Sequence, residues 1–435
     1  MPAVLPRLQQ LYQRVAAGGF MRNVATLVGG AAVAQFLPVL FTPLLTRLYS
    51  PTDFGVLTHF VAWLSNLVVI ATWRYDMAIV LPKDDEDAIR LLMLALGFNT
   101  LLLAVLSVPL WLENGWLSGH LAAPELAPWL PLLPLGVWLA ANNQIWTNWN
   151  NRQRRYNLNA QGRVGQSLAM SLVQLGGGFA KLGTLGLIVG QLAGQGSSWL
   201  LQSRPDLRLL PAWLQRARDG GVRRLMVLYR EFPLVNTPHA FVVALQDSLM
   251  VQLLTVIASA EVMGHYGLVL RVLKLPAALL GQAVSQVLYR DLAEAHSQQR
   301  PLLPLLVKAQ LVLGSVALLP FATLMVWGEP LFALAFGEAW RDAGVIAGLL
   351  APSFFCMFIA APCFMVPMVL SRQRTSLMFA LLGIVANLGT LGGVYWLGYD
   401  AHMVFRLQAW VMSVYYVIYM IWIYRLCRQQ EASHA

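Results

Sequence analysis

The sequence predicts an all-α polytopic membrane protein of about twelve transmembrane helices, set out as two six-helix lobes related by a parallel pseudo-two-fold repeat. Three observations predict it: the composition, the spacing of the apolar runs, and the return of one short motif half a chain later. Of 435 residues, 58% are hydrophobic and only 11% are charged. Soluble domains carry about 25% charged residues. So sparse a polar complement cannot cover a water-facing surface, and hydrocarbon must be the solvent for most of the chain.

A helix needs about 20 apolar residues to cross a bilayer. Runs of that kind lie near 22–47, 55–81, 89–112, 126–149, 157–179, 182–202, 227–257, 261–288, 302–327, 343–370, 374–397 and 402–426. Links are short, and only a tight turn around Lys181 separates the fifth run from the sixth. The longest link, about 203–226, mixes Leu, Trp and Arg before Gly220-Gly221, the pattern of an amphipathic surface helix followed by a break. The expected organisation is an N-terminal lobe at 1–205, a cytoplasmic basic linker at 206–226 and a C-terminal lobe at 227–435.

With the N-terminus inside, twenty lysines and arginines fall on the cytoplasmic side and three, Arg47, Lys181 and Arg341, on the other. That bias places both termini in the cytoplasm. It also accounts for the net charge of +10, so no nucleic-acid binding is read from it. Residues 1–20 lack a clean apolar core and a cleavage site, and read as an amphipathic lead-in at the membrane surface rather than a signal peptide. Cys356, Cys363 and Cys427 have neither disulfide-framework nor zinc spacing and read as small packing residues.

Ser50-Pro-Thr-Asp-Phe-Gly55 precedes the second run and Ser259-Ala-Glu-Val-Met-Gly264 the eighth. Each follows a long span on the outer side. Six spans return the chain to the same side, so the repeats are parallel, and transporters of that design hold substrate between their halves. Gly186, Gly190 and Gly194 form a small-residue ridge on the sixth run, suited to close helix packing within the monomer.

Ten charged residues fall inside the runs, more than two residues from either end: Arg74, Asp76, Arg163, Arg230, Glu231, Asp247, Arg271, Lys274, Lys308 and Arg406. A charge at the bilayer centre costs about 2.5–3.5 kcal/mol on insertion scales. Arg163, Arg230, Glu231, Lys308 and Arg406 lie near span ends, where long side chains reach the headgroups. Arg74 sits deeper and can either snorkel or face a cavity. On a continuous helix Asp76 would point about 200° away from it, so the two are not a local pair. Asp247 and Arg271 fall at similar depth on antiparallel spans, which suits either a helix-joining ion pair or a functional site. Lys274 is one turn deeper on the Arg271 face, with no acid at matching depth in the neighbouring span. Pro233 and Pro238 break or kink the seventh run near Asn236 and His239.

The excess of cations along these spans suits an anionic cargo, because arginine and lysine replace water around a phosphate. The stretch LVGGAAVAQFLPVLFTPLLTRLYSPTDFGVL through WRYDMAIVLPKDDEDA, and GHYGLVLRVLKLPAALLGQAVSQVLYRDLAEA in the second half, resemble bacterial polysaccharide flippases of the O-antigen type. These belong to the multidrug/oligosaccharidyl-lipid/polysaccharide exporter superfamily. The resemblance implies two six-helix lobes around a cationic cavity. It implies a non-enzymatic flippase of the bacterial inner membrane that moves undecaprenyl-pyrophosphate-linked oligosaccharide to the periplasmic leaflet. Arg74, Arg271 and Lys274 are the substrate-binding candidates, and Asp76 and Asp247 the candidates for coupling to a proton or sodium gradient. Expected partners are the lipid-linked oligosaccharide, the membrane, a polysaccharide polymerase and a chain-length regulator; no cofactor or metal is expected.

Three rivals make different demands on the sequence. A cation-coupled drug antiporter of the same superfamily would need an acid-rich lobe cavity. A polysaccharide polymerase or ligase would need a large periplasmic loop, whereas the loops near 113–125 and 328–342 are short and carry no acid/base or metal cluster. An ATP-driven motor would need GxxxxGK[ST], which is absent.

Overall fold

A computed structural model describes residues 35–112, 124–217, 221–276, 282–370, 372–397 and 401–434. Among them there is helix and no strand. The first described helix is α1 (35–48). The long helices that follow are α2 (Pro51–Ala71), α3 (Asp85–Leu112), α4 (Leu133–Arg152), α5 (Tyr156–Phe179) and α6 (Thr184–Ser203). Two short helices, α7 (Leu210–Ala217) and α8 (Gly221–Leu228), lead to α9 (Thr237–Ile257) and α10 (Ala260–Pro276). The chain closes with α11 (Gln282–Ser297), α12 (Leu303–Phe336), α13 (Arg341–Ala360), α14 (Gln373–Leu397) and α15 (Ala401–His434).

Among the described residues five helical stretches are long and apolar enough to cross a membrane: Pro51–Ala71, Asp85–Trp111, Leu303–Phe336, Glu338–Val369 and His402–Glu431. The protein is therefore a multi-pass membrane protein. Helices α4, α5 and α6 have the length but carry amides and hydroxyls, many of which they turn inward. Asn143, Asn150, Asn159, Gln174, Gln195 and Gln202 are all buried. Asn143 Nδ2 donates to Gln195 Oε1 at 2.6 Å, Thr147 Oγ1 to Gln202 Oε1 at 2.8 Å, and Gln174 Nε2 to the Leu187 carbonyl at 3.1 Å. Without a hydrophobic drive between helices in lipid, such bonds and small residues hold them together. The glycine ridge of α6 lies against α5: a Cβ on Gly190 would stand 2.3 Å from Gln174 Cγ, and one on Gly194 2.8 Å from the Gln166 carbonyl oxygen. The turn between the two helices has the left-handed Lys181 (φ 57°). Leu182 N donates to the Gly177 carbonyl and Lys181 N to Gly178, a helix stop that satisfies the last carbonyls.

The chain divides into two compact units, one of 35–48 with Phe60–Ser248 and one of Tyr49–His59 with Leu249 onward. In the first, residues 206–226 are more than a connection. Trp213 of α7 and Leu225 of α8 are buried in one core with Tyr75, Leu92, Ile145 and Trp149. Trp213 meets Trp149 edge-on, ring centroids 5.2 Å apart. The Gly220 half of the expected break falls on 218–220, outside the described residues. In the second unit Cys363 and Cys427 are buried among Leu292, Leu306, Val366 and Ile423, so both serve as packing groups there.

The repeated motif acts at both of its occurrences. Ser50 caps α2: its Oγ accepts from Asp53 N at 3.2 Å while Asp53 Oδ2 accepts from Ser50 N at 3.0 Å, a reciprocal capping box. Ser259 Oγ accepts from Val262 N at 3.4 Å at the start of α10. The two helix starts lie against each other within the second unit. A Cβ on Gly55 would stand 1.8 Å from the Ala260 carbonyl oxygen, and one on Gly264 1.7 Å from that of Pro51. Each first-turn carbonyl thus lies over the other helix's glycine. Beside this pair Phe54 packs edge-on to Trp340 at 4.9 Å. His265 Nε2 lies 3.0 Å from the Ala339 carbonyl, which can only accept, so Nε2 carries the proton.

Candidate functional site

The stretch Trp73–Ala88 is an elbow, not the end of a continuous span to residue 81. Helix α2 stops at Ala71, Trp73 and Arg74 adopt left-handed backbone (φ 49° and 60°), and a short helix, Tyr75–Ala78, restarts the chain. The estimated depth of Arg74, which assumed an unbroken helix, gives way to a turn. Non-glycine residues avoid left-handed backbone unless their surroundings impose it. Here the surroundings do. Thr72 Oγ1 accepts from Arg74 N at 3.2 Å and donates to Asp76 Oδ1 at 2.5 Å. Tyr75 stacks on Phe98 with centroids 5.9 Å apart, and its hydroxyl donates to the Met226 carbonyl at 3.2 Å.

The two charges of the elbow face different partners. Asp76 is 2% exposed, and its second oxygen accepts from Asn148 Nδ2 at 3.0 Å. Arg74 is half-buried and donates from Nε to Asn236 Oδ1 at 3.1 Å. Asn236 ends a π-helical turn, Phe232–Asn236, at the break that Pro233 and Pro238 require. Neither charge is neutralised by an ion pair among the described residues. Both partners are amides, so the elbow retains a cation at its surface and a carboxylate in its interior.

Below the elbow, arginines gather an acidic cluster. Arg152, at the end of α4, donates to the Pro82 carbonyl at 2.7 Å and the Ile79 carbonyl at 3.4 Å, and pairs with Asp85 at 2.8 Å. Asp87, in the first turn of α3, takes both Arg90 at 2.9 Å and Arg224 at 2.7 Å. The acids suit the positive end of the α3 dipole. Buried Asp206 accepts from Arg155 at 2.6 Å and from Trp149 Nε1 at 2.9 Å. Replacing Arg152 with methionine removes several charge-assisted bonds from a side chain that is 11% exposed. The unfolding free energy should fall by about 2 kcal/mol, the scale of one or two such bonds, seen as a lower Tm in detergent. An unchanged Tm would show that the elbow is held by other contacts.

The remaining candidates lie in or before α10. Arg271 is half-buried, and its Nη1 is buried without a hydrogen-bond partner. Lys274, one turn on, is exposed. The side chain of Asp247 on α9 lies outside the described residues, so the Asp247–Arg271 pair is neither seen nor dismissed. The structure therefore brings together Arg74 and Asp76 with Asn148 and Asn236 in the first unit, and sets Arg271 and Lys274 on one face in the second. Sequence reasoning did not find Thr72, Asn148 or Arg152. The last two sit in the run NNQIWTNWNNR, whose density of asparagine inside an apolar span was the available signal. No cluster of metal-ligating side chains occurs among the described residues.

Several solved structures share this fold. An inward-facing multidrug resistance transporter of the MATE family, in the MOP superfamily, aligns with a TM-score of 0.67 at 13% identity, over 94% of this chain and 96% of that one. The lipid II flippase MurJ, in an inward closed conformation, aligns with a TM-score of 0.67 at 13% identity, over 92% of this chain and 87% of that one. A MOP-superfamily transporter from Pyrococcus furiosus, described as having a binding pocket of reverse polarity, aligns with a TM-score of 0.57 at 12% identity, over 94% and 96%. No curated protein matches the chain. The model of one family, described as polysaccharide biosynthesis protein, matches residues 44–345. The O-antigen-type resemblance and the all-helical transporter fold read from the sequence are thereby supported from two sides, and the chain belongs to the polysaccharide biosynthesis protein family.

Proposed function

We propose that this protein flips an undecaprenyl-pyrophosphate-linked oligosaccharide from the cytoplasmic to the periplasmic leaflet of a bacterial inner membrane, by alternating access, with both termini in the cytoplasm. The observation that carries the reading is Arg271, a guanidinium whose Nη1 is buried without a partner among the described residues, one turn from the exposed Lys274 on α10. A buried donor without an acceptor costs free energy, and a diphosphate in transit would supply acceptors to both cations. Arg74, held by a neutral amide, is the proposed substrate-binding cation of the first unit. Polysaccharide biosynthesis as the family's field and a lipid flippase among the structural relatives agree with this cargo. A polymerase and a chain-length regulator would then act on the delivered product.

Depletion of the protein tests the reading. Lipid-linked oligosaccharide should accumulate on the inner leaflet, out of reach of periplasmic glycan-modifying enzymes. Normal surface polysaccharide after depletion would reject it.

Asp76 and Asp247 are the proposed coupling groups. Asp76→Asn preserves the side-chain shape and leaves an acceptor oxygen for Thr72. In proteoliposomes, an imposed proton or sodium gradient should accelerate translocation by the wild type but leave Asp76→Asn at its gradient-free rate. Equal acceleration of both proteins would remove Asp76 from the coupling path.

A further inference from the structure

A further cleft lies among the helices of the second unit, lined by none of the candidates above. Helices α12 and α15 both pack along α13 but scarcely touch each other, which leaves a cleft of about 630 Å³ between them. Pro320 and Pro352 interrupt the hydrogen bonding of α12 and α13 at this level, and α12 loses helical backbone at Trp327 (φ −120°). At one end α12 and α13 are pinched together, since a Cβ on Gly344 would stand 2.3 Å from the Gly328 carbonyl oxygen. The walls include Leu318, Phe321, Met325, Phe355 and Trp410. Of the described lining residues, Arg406 alone is charged.

The charge and its place define the occupant. Arg406 is exposed and has no ion pair among the described residues. It lies five residues after the start of α15, about 8 Å along the axis at the usual rise, so its long side chain reaches the headgroup level. From Arg406 the cleft runs along α15 to Ser413, about two turns deeper into the hydrocarbon. A hydrophobic slot with one cation at its shallow end matches a molecule with an apolar chain below an anionic head. A cation needs a counter-charge where the dielectric is low, and none is provided by the lining.

We propose that this cleft binds one hydrocarbon chain of an anionic phospholipid, with the lipid phosphate against the Arg406 guanidinium. Such a lipid would wedge α12 and α15 apart on α13. The cleft shares no lining residue with the substrate-binding and coupling candidates, and its test does not require transport.

Trp410 provides the readout. The full chain is reconstituted in phosphatidylcholine bilayers with increasing amounts of mid-chain-brominated phosphatidylglycerol or brominated phosphatidylcholine. Trp410 emission is isolated by subtracting the Trp410→Phe protein. Half-maximal quenching should occur at about fivefold lower mole fraction for phosphatidylglycerol, the preference that one basic residue confers on anionic lipid. Arg406→Gln should abolish the preference and Arg406→Lys should keep it. Trp410 is 70% exposed, so bulk lipid still reaches it in Ala322→Phe, but this change narrows the cleft from the α12 wall and should abolish the preference for phosphatidylglycerol. Equal quenching by the two lipids in the wild type, or a preference that survives in Arg406→Gln, would overturn the proposal. A preference that survives in Ala322→Phe would also overturn it.

Discussion

Replacing Arg271 and Lys274 together with alanine is expected to reduce polysaccharide export by about two orders of magnitude, since charge-assisted hydrogen bonds contribute about 1.5–3 kcal/mol each and 1.4 kcal/mol is a factor of ten. The loss should fall on transport rather than folding. Lys274 is exposed, and Arg271 Nη1 makes no hydrogen bond that alanine would forfeit. Nη1 has no partner among the described residues, so its removal forfeits no bond there and the Tm of the double variant should stay close to that of the wild type. Arg271→Lys keeps the charge but loses the planar fork, and should retain part of the export, because a lysine serves a phosphate as a point charge. Export at the wild-type rate in the double variant would separate these cations from the cargo. A collapse of Tm with export would instead assign Arg271 to helix packing.

Much of this protein is readable from residue order, and the boundary of what is readable is physical. Apolar runs of bilayer length report helices because hydrocarbon permits little else. Local chemistry reported the stop at Lys181 and the break at Pro233, where backbone hydrogen bonds must end. The elbow at Thr72–Arg74 could not be read in the same way. It contains neither glycine nor proline, and its left-handed residues are held by Asp76, Asn148 and Asn236, of which the last two are remote in sequence. An unbroken span to residue 81 was the correct inference from propensity and the wrong one from tertiary structure. The acidic run Asp84–Asp87 likewise shows its purpose only with Arg152 and Arg224 in place. Arg74 and Lys274 could be picked out because charge is conspicuous in apolar sequence. Asn148 stood out only as one of a run of asparagines, since its role depends on which face of α4 meets the elbow.

Gly55→Ala and Gly264→Ala are expected to be the most destabilising glycine-to-alanine changes among the described glycines. A new Cβ at either position would meet a backbone carbonyl oxygen, 1.8 Å away at Gly55 and 1.7 Å at Gly264, far inside van der Waals contact. The obstacle is main chain on a capped helix, so no side-chain rotation can clear it, and α2 and α10 must part. Overpacking costs about 1–3 kcal/mol where a core can adjust and more where it cannot; a loss near or above the top of that range is expected at both sites, seen as a large drop in Tm. Gly97 is the control. It lies inside α3 with nothing within 4 Å of the added methyl, so Gly97→Ala should be neutral or stabilising by about 0.5–1 kcal/mol, the ordinary helix preference for alanine over glycine. The pair also tests the repeat itself. Each glycine follows its capping serine by five positions and accepts the partner helix's first-turn carbonyl, so the two single variants should lose similar stability. Because both enlarge the same contact, the double variant should lose less than the sum, as neighbouring sites that share one displacement do. Additive losses would mean that the two glycines act in separate contacts. Wild-type Tm in either single variant would mean that the helix starts do not touch.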